Sequence, residues 1–428
     1  MKRLFLIFPL LAVLVIACRK PEPEIVKPLG ATVPIEARAI VKVDLDAVLK
    51  MADCRSEGGR IELTPELSRL LRRWYGLPLL QACAAEGWRL DLKEAYWIDL
   101  GEGHQPVVTA MLKRQDLDQD EVLVDSLADG VAWLSDGRQA WLSLADGPEL
   151  ASTVDSILAK ADSLNLLAAK GIDGEFFARP STIKAVRRGE NMANPIGDAF
   201  DAVYFGVDVR DRSISAQVRL ASAGQWVDAT SLMQPIDADA AFSDQPPGCV
   251  LVAAAGLTTN SVCRSLSAIP DLRFDRRFTL SIYARILAVN GTASLAMAPG
   301  GRAETIRNFD LRNWDVRFNL PIQGDPVKAL DFADRYLPDY CYAEADSQYL
   351  YASTYEPGTY EPRSDFAPAL APGCLAVMVR IPYQSETMKA LRLKSGYSID
   401  FQADSALRLN VRLLGPAEYI LPALITDL

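Results

Sequence analysis

The chain is 428 residues long, half of them apolar, with 45 basic and 55 acidic side chains and a net charge of −10. That balance argues against nucleic acid and against broad adhesion to anionic lipid, while the apolar half is ample for a folded core. One histidine in the whole chain leaves a zinc site only cysteines or carboxylates drawn from distant segments.

Lys2 and Arg3 open an apolar run, Leu4 to Ala17, that is shorter than the ~20 residues of a membrane-spanning helix. Val15, Ile16 and Ala17 lead directly into Cys18. The junction resembles a bacterial lipoprotein signal peptide, whose cysteine becomes the acylated first residue of the mature protein. The resemblance implies removal of residues 1–17, lipidation of Cys18 with palmitate-type acyl chains, and anchoring without a spanning helix. Arg19 follows the cysteine where inner-membrane cargo carries Asp, which is similar to outer-membrane cargo. The implied location is the outer membrane of a cell envelope, on either its periplasmic or its surface face. Without the signal the chain keeps 43 basic against 55 acidic residues, a charge of −12.

Residues 18–34 hold Pro21, Pro23, Pro28 and Pro34, a spacing that favours an extended tether. The remainder exceeds what one hydrophobic core usually accommodates, and it reads as strand, short helix and hairpin in turn. The first such unit takes Ala39 to Leu45, Asp46 to Ala52, then Ala95 to Leu100 with Val107 to Leu112. An insert within it carries Thr64 and Pro65 at the start of a helix through Trp74. Glu149 to Ala169 reads as a long amphipathic helix. A second unit takes Glu175 to Ala178 as strand, Ser181 to Arg188 as helix, and Val203 to Val209 with Ser213 to Leu220 around Asp211 and Arg212.

The third unit enters through Pro247, Gly248 and Cys249 to Val250 to Ala255, a helix Thr258 to Leu266, and a hairpin Ile282 to Val289 with Thr292 to Ala298 around Asn290-Gly291. Trp314 to Leu320 reads as strand and Asp325 to Tyr336 as helix. The fourth unit repeats the entry as Pro372, Gly373 and Cys374, then Leu375 to Ile381, a helix Gln384 to Leu393, and Tyr397 to Gln402 with Leu407 to Leu413. These units predict an α+β fold: two related halves, 35–233 and 234–428, of largely antiparallel sheet with helices packed on one face. The proline-marked start and apolar strand across Val33 to Leu49, with repeating units behind it, resemble Bacteroidetes-type envelope lipoproteins of an uncharacterised family. That class supplies no catalytic residues to carry over.

Catalytic patterns are sparse. His104 lies in a turn without a nucleophile elbow nearby in sequence, and reads as a solvated loop residue. Asp116, Asp118 and Asp120 begin like a calcium loop, but Glu121 and Leu127 occupy the positions of its glycine and bidentate glutamate. Asp44 with Asp46, or Asp99 with Glu102, are the carboxylate pairs a glycan hydrolase would need. No nucleotide fingerprint is present, and no cofactor or metal is expected. Arg69, Arg72 and Arg73, and Lys184, Arg187 and Arg188, read as solvated helix faces. Asp125-Ser126-Leu127, Asp155-Ser156-Ile157, Asp162-Ser163-Leu164 and Asp404-Ser405-Ala406 resemble a short O-glycosylation signal of exported Bacteroidetes proteins.

Six cysteines remain besides Cys18, an even number that in an exported chain suggests disulfides. Pairing of sequence neighbours gives Cys54 with Cys83, Cys249 with Cys263, and Cys341 with Cys374, among fifteen possible connectivities, with buried free thiols in some positions as the alternative. Tyr336, Tyr340, Tyr342, Tyr349, Tyr351, Tyr355 and Tyr360 concentrate around one strand pair. Tyr340, Tyr342, Tyr349, Tyr351 and Tyr355 are the candidate surface for a partner or glycan. The expected function is a lipid-anchored, non-catalytic envelope lipoprotein that binds or scaffolds another envelope protein or glycan. The alternatives are a histidine-independent glycan hydrolase and a lipid or lipoprotein carrier.

Overall fold

The computed structural model describes residues 29–34, 36–57, 60–71, 77–87, 89–101, 103–113, 122–127, 130–161, 171–192, 199–228, 230–242, 245–269, 272–299, 311–360 and 373–427. The first half contributes β1 (Ala39–Val43), β2 (Arg55–Glu57), β3 (Arg60–Glu62), β4 (Leu90–Asp99), β5 (Val107–Leu112), β6 (Val122–Leu127), β7 (Val131–Ser135), β8 (Gln139–Ser143), β9 (Ile183–Met192), β10 (Phe200–Arg210), β11 (Ser213–Ser222) and β12 (Gln225–Val227). The second contributes β13 (Leu251–Thr258), β14 (Asn290–Pro299), β15 (Trp314–Pro321), β16 (Tyr342–Ala345), β17 (Tyr349–Ser353), β18 (Leu375–Ile381), β19 (Gly396–Ala403) and β20 (Leu407–Leu414). The helices are α1 (Leu45–Met51), α2 (Pro65–Leu71), α3 (Leu77–Ala85), α4 (Gly147–Ala161), α5 (Ile172–Ala178), α6 (Ala238–Phe242), α7 (Thr259–Ala268), α8 (Phe274–Ile286), α9 (Pro326–Tyr336), α10 (Glu386–Ala390) and α11 (Ile420–Asp427).

One antiparallel ladder joins the strands in the order β6, β7, β8, β5, β4, β1, β9, β10, β11, β20, β19, β18, β13, β14, β15, β17, β16. The long edge of β11 is shared: Ser213 to Val218 pair with β20 and Leu220 to Ser222 with β12. The fold is therefore α+β with a large antiparallel sheet, and no break in the ladder marks residue 234.

Helices cover both faces of this sheet, not one. Leu134 and Trp141 join the cluster under Leu150, Val154 and Ile157 of α4 and Phe176 and Phe177 of α5. Their neighbours Trp133 and Leu142 join the opposite cluster, with Leu45 and Leu49 of α1 and Leu79 and Cys83 of α3. Every residue of β7 and β8 is buried. Continuous apolar runs such as Val131 to Leu134 require this, since a strand with one wet face would alternate.

Two expected elements are exchanged around residue 180. Residues 172–178 form α5, between Gly171 at φ +100° and Pro180, and bury Phe176 and Phe177. Ile183 to Met192 form a strand, in which Lys184 and Val186 are buried while Arg187 on the other side is exposed. The expected hairpin at Asn290-Gly291 is also absent. Residues 274–286 are helical, and β14 begins at Asn290 and pairs with β13. Gly291 is needed there because a Cβ would meet Pro321 Cβ at 2.8 Å, at a φ of +135°.

Local chemistry explains the helix starts. Asp44 Oδ1 accepts from the Ala47 amide at 2.9 Å to cap α1. A capping box links Thr258 and Ser261 at the start of α7, and Asp325 with Pro326 opens α9.

No disulfide joins the six described cysteines, so the expected pairings are not present. Cys249 Sγ donates to the carbonyls of Leu251 and Met297 at 3.1 and 3.3 Å, whereas Cys263 belongs to a separate cluster and donates to Ser281 O at 3.7 Å. Burial pushes the Cys83 thiol up to about 12 and also raises Cys54 and Cys341. These cysteines behave as small apolar packing groups.

Candidate functional site

A cavity of about 260 Å³ opens where α5 ends above β9, β10, β11 and β20, lined by Arg179, Lys184, Arg219 and Arg408 with Glu175 and Asp208. Strand register brings these groups together. Lys184 stands opposite Gly206, Gly206 opposite Gln217, and Gln217 opposite Arg408, so all four positions share one face across four strands. Gly206 has no side chain to fill the space above it, where a Cβ would lie 3.7 Å from Phe176 Cζ.

Lys184 is 5% exposed, and its Nζ donates to the Phe176 carbonyl near the end of α5. Cations are favoured there by the helix dipole and by the unpaired carbonyls of the last turn. Burial, with Arg179 second, lowers Lys184 to about 8. Arg219 lies 3.7 Å from the centre of the Trp226 ring, and burial holds it below its ordinary value. Arg179 pairs with Glu175 at 2.9 Å, and Arg408 pairs with Asp404. Arg219 has no carboxylate partner among the described residues. Ser215 donates to Asn410 Oδ1 at 2.7 Å across the β11–β20 seam, adding neutral hydrogen-bonding groups to the lining.

A second cavity of about 360 Å³ lies across α5, lined by Asp173, Arg188 and Tyr204. Its polar groups answer one another. Arg188 pairs with Asp173 and donates to Ala37 O at 3.1 Å, and Tyr204 donates to Asp173 at 3.0 Å. The first cavity, with an unpaired guanidinium and a lysine of lowered pKa, is the candidate site. Four basic side chains against two carboxylates, with amide and hydroxyl groups between them, give its lining the chemistry to hold an oxyanion.

The tyrosines gather at one end of the sheet. Tyr342, Tyr349 and Tyr351 share a face of β16 and β17, with the Tyr349 and Tyr351 rings 5.7 Å apart. Arg312 lies 5.3 Å from the Tyr340 ring centre and Arg317 5.0 Å from that of Tyr351. Tyr355 meets Tyr360 edge-on at 5.0 Å, and Tyr360 donates to Asp315 at 2.9 Å. Only Tyr336 and Tyr342 of this group rank among the exposed large side chains.

The other candidates stand apart. His104 is half-buried, with Nδ1 3.3 Å from Thr153 Oγ1 on α4, so it is not the solvated loop residue expected. Asp44 is committed to its cap, and Asp99 accepts from the Gly101 amide at 2.8 Å. Cys18, Asp116, Asp118, Asp120, Glu102, Arg72, Arg73 and the signal at Asp162 lie outside the described residues. Asp125-Ser126-Leu127 falls in β6, Asp155-Ser156-Ile157 in α4, and Asp404-Ser405-Ala406 in the turn before β20. Lys184 was misplaced on a solvated helix face, and Arg219 and Arg408 carried no motif. The available signal was period two: Lys184 and Val186 alternate with Ile183 and Ala185, which puts a lysine on the buried side of a strand.

Comparison with protein-family models and with curated proteins finds no match. Among solved structures, crystal form I of TP0453 aligns with a TM-score of 0.27 and 9% identity over 46% of this chain and 79% of that one. Crystal form III aligns with a TM-score of 0.25 and 8% identity over the same shares. Likeness at this level carries no argument.

Proposed function

We propose that the protein is a lipid-anchored envelope lipoprotein whose folded part binds, without catalysis, a small oxyanion-bearing ligand such as an acidic glycan end. Its anchor is Cys18 and its location the outer membrane. The observation that carries the binding reading is Arg219, its Cζ 3.7 Å from the Trp226 ring centre, lining the cavity without a carboxylate partner among the described residues. A guanidinium held in place by stacking keeps its planar donors free for a carboxylate or phosphate.

The two-halves reading belongs to the same proposal, and strand order supports it. In chain order, β1, β4, β5, β7, β8, β9, β10 and β11 hold the same sheet positions in the first half as β13, β14, β15, β16, β17, β18, β19 and β20 in the second. The last strand of each set meets its counterpart antiparallel, Ser213 against Arg412 through Val218 against Leu407. The cavity sits beside this seam, so its basic lining draws on both halves. The repeated strand-helix-hairpin unit has the same kind of support at β13 and β18, where first strands meet.

Calorimetric titration with inorganic phosphate and with glucuronate tests the binding, the two probes separating a phosphate from a sugar carboxylate. Arg219→Gln is expected to weaken whichever anion binds by roughly 10- to 100-fold, the worth of one hydrogen bond to a charged group. Equal affinity in both proteins, or no heat with either anion, refutes the site. For the anchor, Cys18→Ser is expected to abolish the acyl mass carried at residue 18; a wild-type intact mass that matches the unacylated chain refutes lipidation.

A further inference from the structure

The helix α8 is amphipathic in the reverse of the usual sense. It turns Ala284 to the protein, with Leu287 just beyond it, and leaves Phe274 81% exposed, Phe278 59%, Ile282 40% and Ile286 40%. These four residues recur every fourth position, so they form one stripe about 18 Å long at 1.5 Å per residue. The rings of Phe274 and Phe278 stack with centres 6.2 Å apart. The stripe continues onto the next helix. Gln323 and Gly324 both donate to Leu287 O at 3.1 Å, which sets the start of α9 at the end of α8, and Val327 there is 72% exposed. Tyr283 of α8 packs on Phe332 and Tyr336 of α9 at 5.1 and 5.6 Å, so the pair is held as a unit.

Charge beside the stripe runs against that of the molecule. Arg273, Arg276 and Arg285 are exposed and have no carboxylate partner among the described residues, and Asp275 is the single acid within the helix. In a chain of net charge −10, Arg285 falls within the arc of the unshielded apolar stripe and Arg273 stands at its start, an arrangement that matches a surface that is apolar beneath and anionic above.

We propose that α8, with the start of α9, is a membrane-interface element. Phe274, Phe278, Ile282, Ile286 and Val327 seat at the boundary of head groups and acyl chains, and Arg273 and Arg285 engage anionic lipid phosphates. Arginine stems reach along the apolar stripe while their heads stay at the phosphate level. The contact orients a domain that the tether alone leaves free to turn, and in this it rests on the reading that the chain is held at a membrane.

The test uses the full chain carrying Phe278→Trp, with vesicles of phosphatidylcholine alone or mixed with phosphatidylglycerol, each with and without brominated acyl chains. The expected result is that the emission added by the new tryptophan shifts to the blue and is lost to bromine in the mixed vesicles, and less so at high salt. Unshifted, unquenched emission from protein retained on the vesicles overturns the proposal. A blue shift that follows protein concentration without vesicles also overturns it, in favour of a second copy as occupant. Intact mass reports acylation at Cys18 separately, so failure of the anchor and failure of the helix contact are distinguished.

Discussion

Lys184 occupies a strand position that period two assigns to the buried face, beside Val186 and under Phe176. Its solvation loss is met by one carbonyl and by Asp208, while Arg179 and Lys42 oppose the charge. The folded state therefore binds fewer protons than the unfolded state between about 8 and the ordinary value of 10.5. Where the unfolded chain holds more protons, stability rises with pH. Denaturant midpoints measured across that window are expected to rise in the wild type, and the slope to flatten in Lys184→Met. A second residue-scale prediction concerns Gly256, where an added Cβ would lie 1.7 Å from Gln234 O. Backbone cannot yield as a side-chain tip does, so Gly256→Ala is expected to cost at least ~1–3 kcal/mol. Gly189→Ala, which meets nothing within 4 Å, is the control in the same unfolding experiment.

At the scale of elements, sequence and structure agree where local chemistry and pattern coincide. β1 with its Asp44-capped helix, the β10–β11 hairpin around Asp211 and Arg212, and β18 through β20 were all readable from apolar period and turn residues. They diverge where a short segment fits two periods. Residues 172–178 hold adjacent phenylalanines that suit a strand, yet both bury as a helix between Gly171 and Pro180. Ile282 to Val289 suits a strand only when its apolar residues are taken apart from Phe274 and Phe278, whose four-residue spacing marks the helix that ends at Ile286. The candidate cavity was not legible at all, since register across four strands assembles it and no local motif encodes register. The capping box on α7 yields a direct test: Thr258→Ala is expected to lower stability by ~1 kcal/mol, read as a shift in denaturant midpoint at unchanged slope.

At the scale of the whole molecule, the ladder among the described residues passes from the strands before residue 234 to those after it through β11 and β20. Ile40, Tyr96 and Leu150 lie in one cluster and Val252, Ala376 and Met378 in another, while a smaller cluster at the seam packs Ile214 against Tyr397, Leu413 and Ile420. On the two-halves proposal, breaking the seam should uncouple the halves and leave each folded. Asn410→Pro, opposite Ser215 on an interior strand, removes a ladder donor, and is expected to split a single unfolding transition into two. A single transition at an unchanged midpoint would show that the seam carries no cooperativity. The same seam borders the cavity, so the variant should also lose anion binding while both cores persist.

The measurement that bears most directly on the binding account is glucuronate affinity from pH 6.5 to 9.5 in the wild type and in Lys184→Met. The carboxylate of glucuronate keeps its charge over this range, so any change belongs to the protein. Affinity in the wild type is predicted to be highest when Lys184 is protonated and to fall as pH rises through about 8, with a flat and weaker profile in the variant. Superimposable profiles from the two proteins, or no binding at any pH, would contradict it.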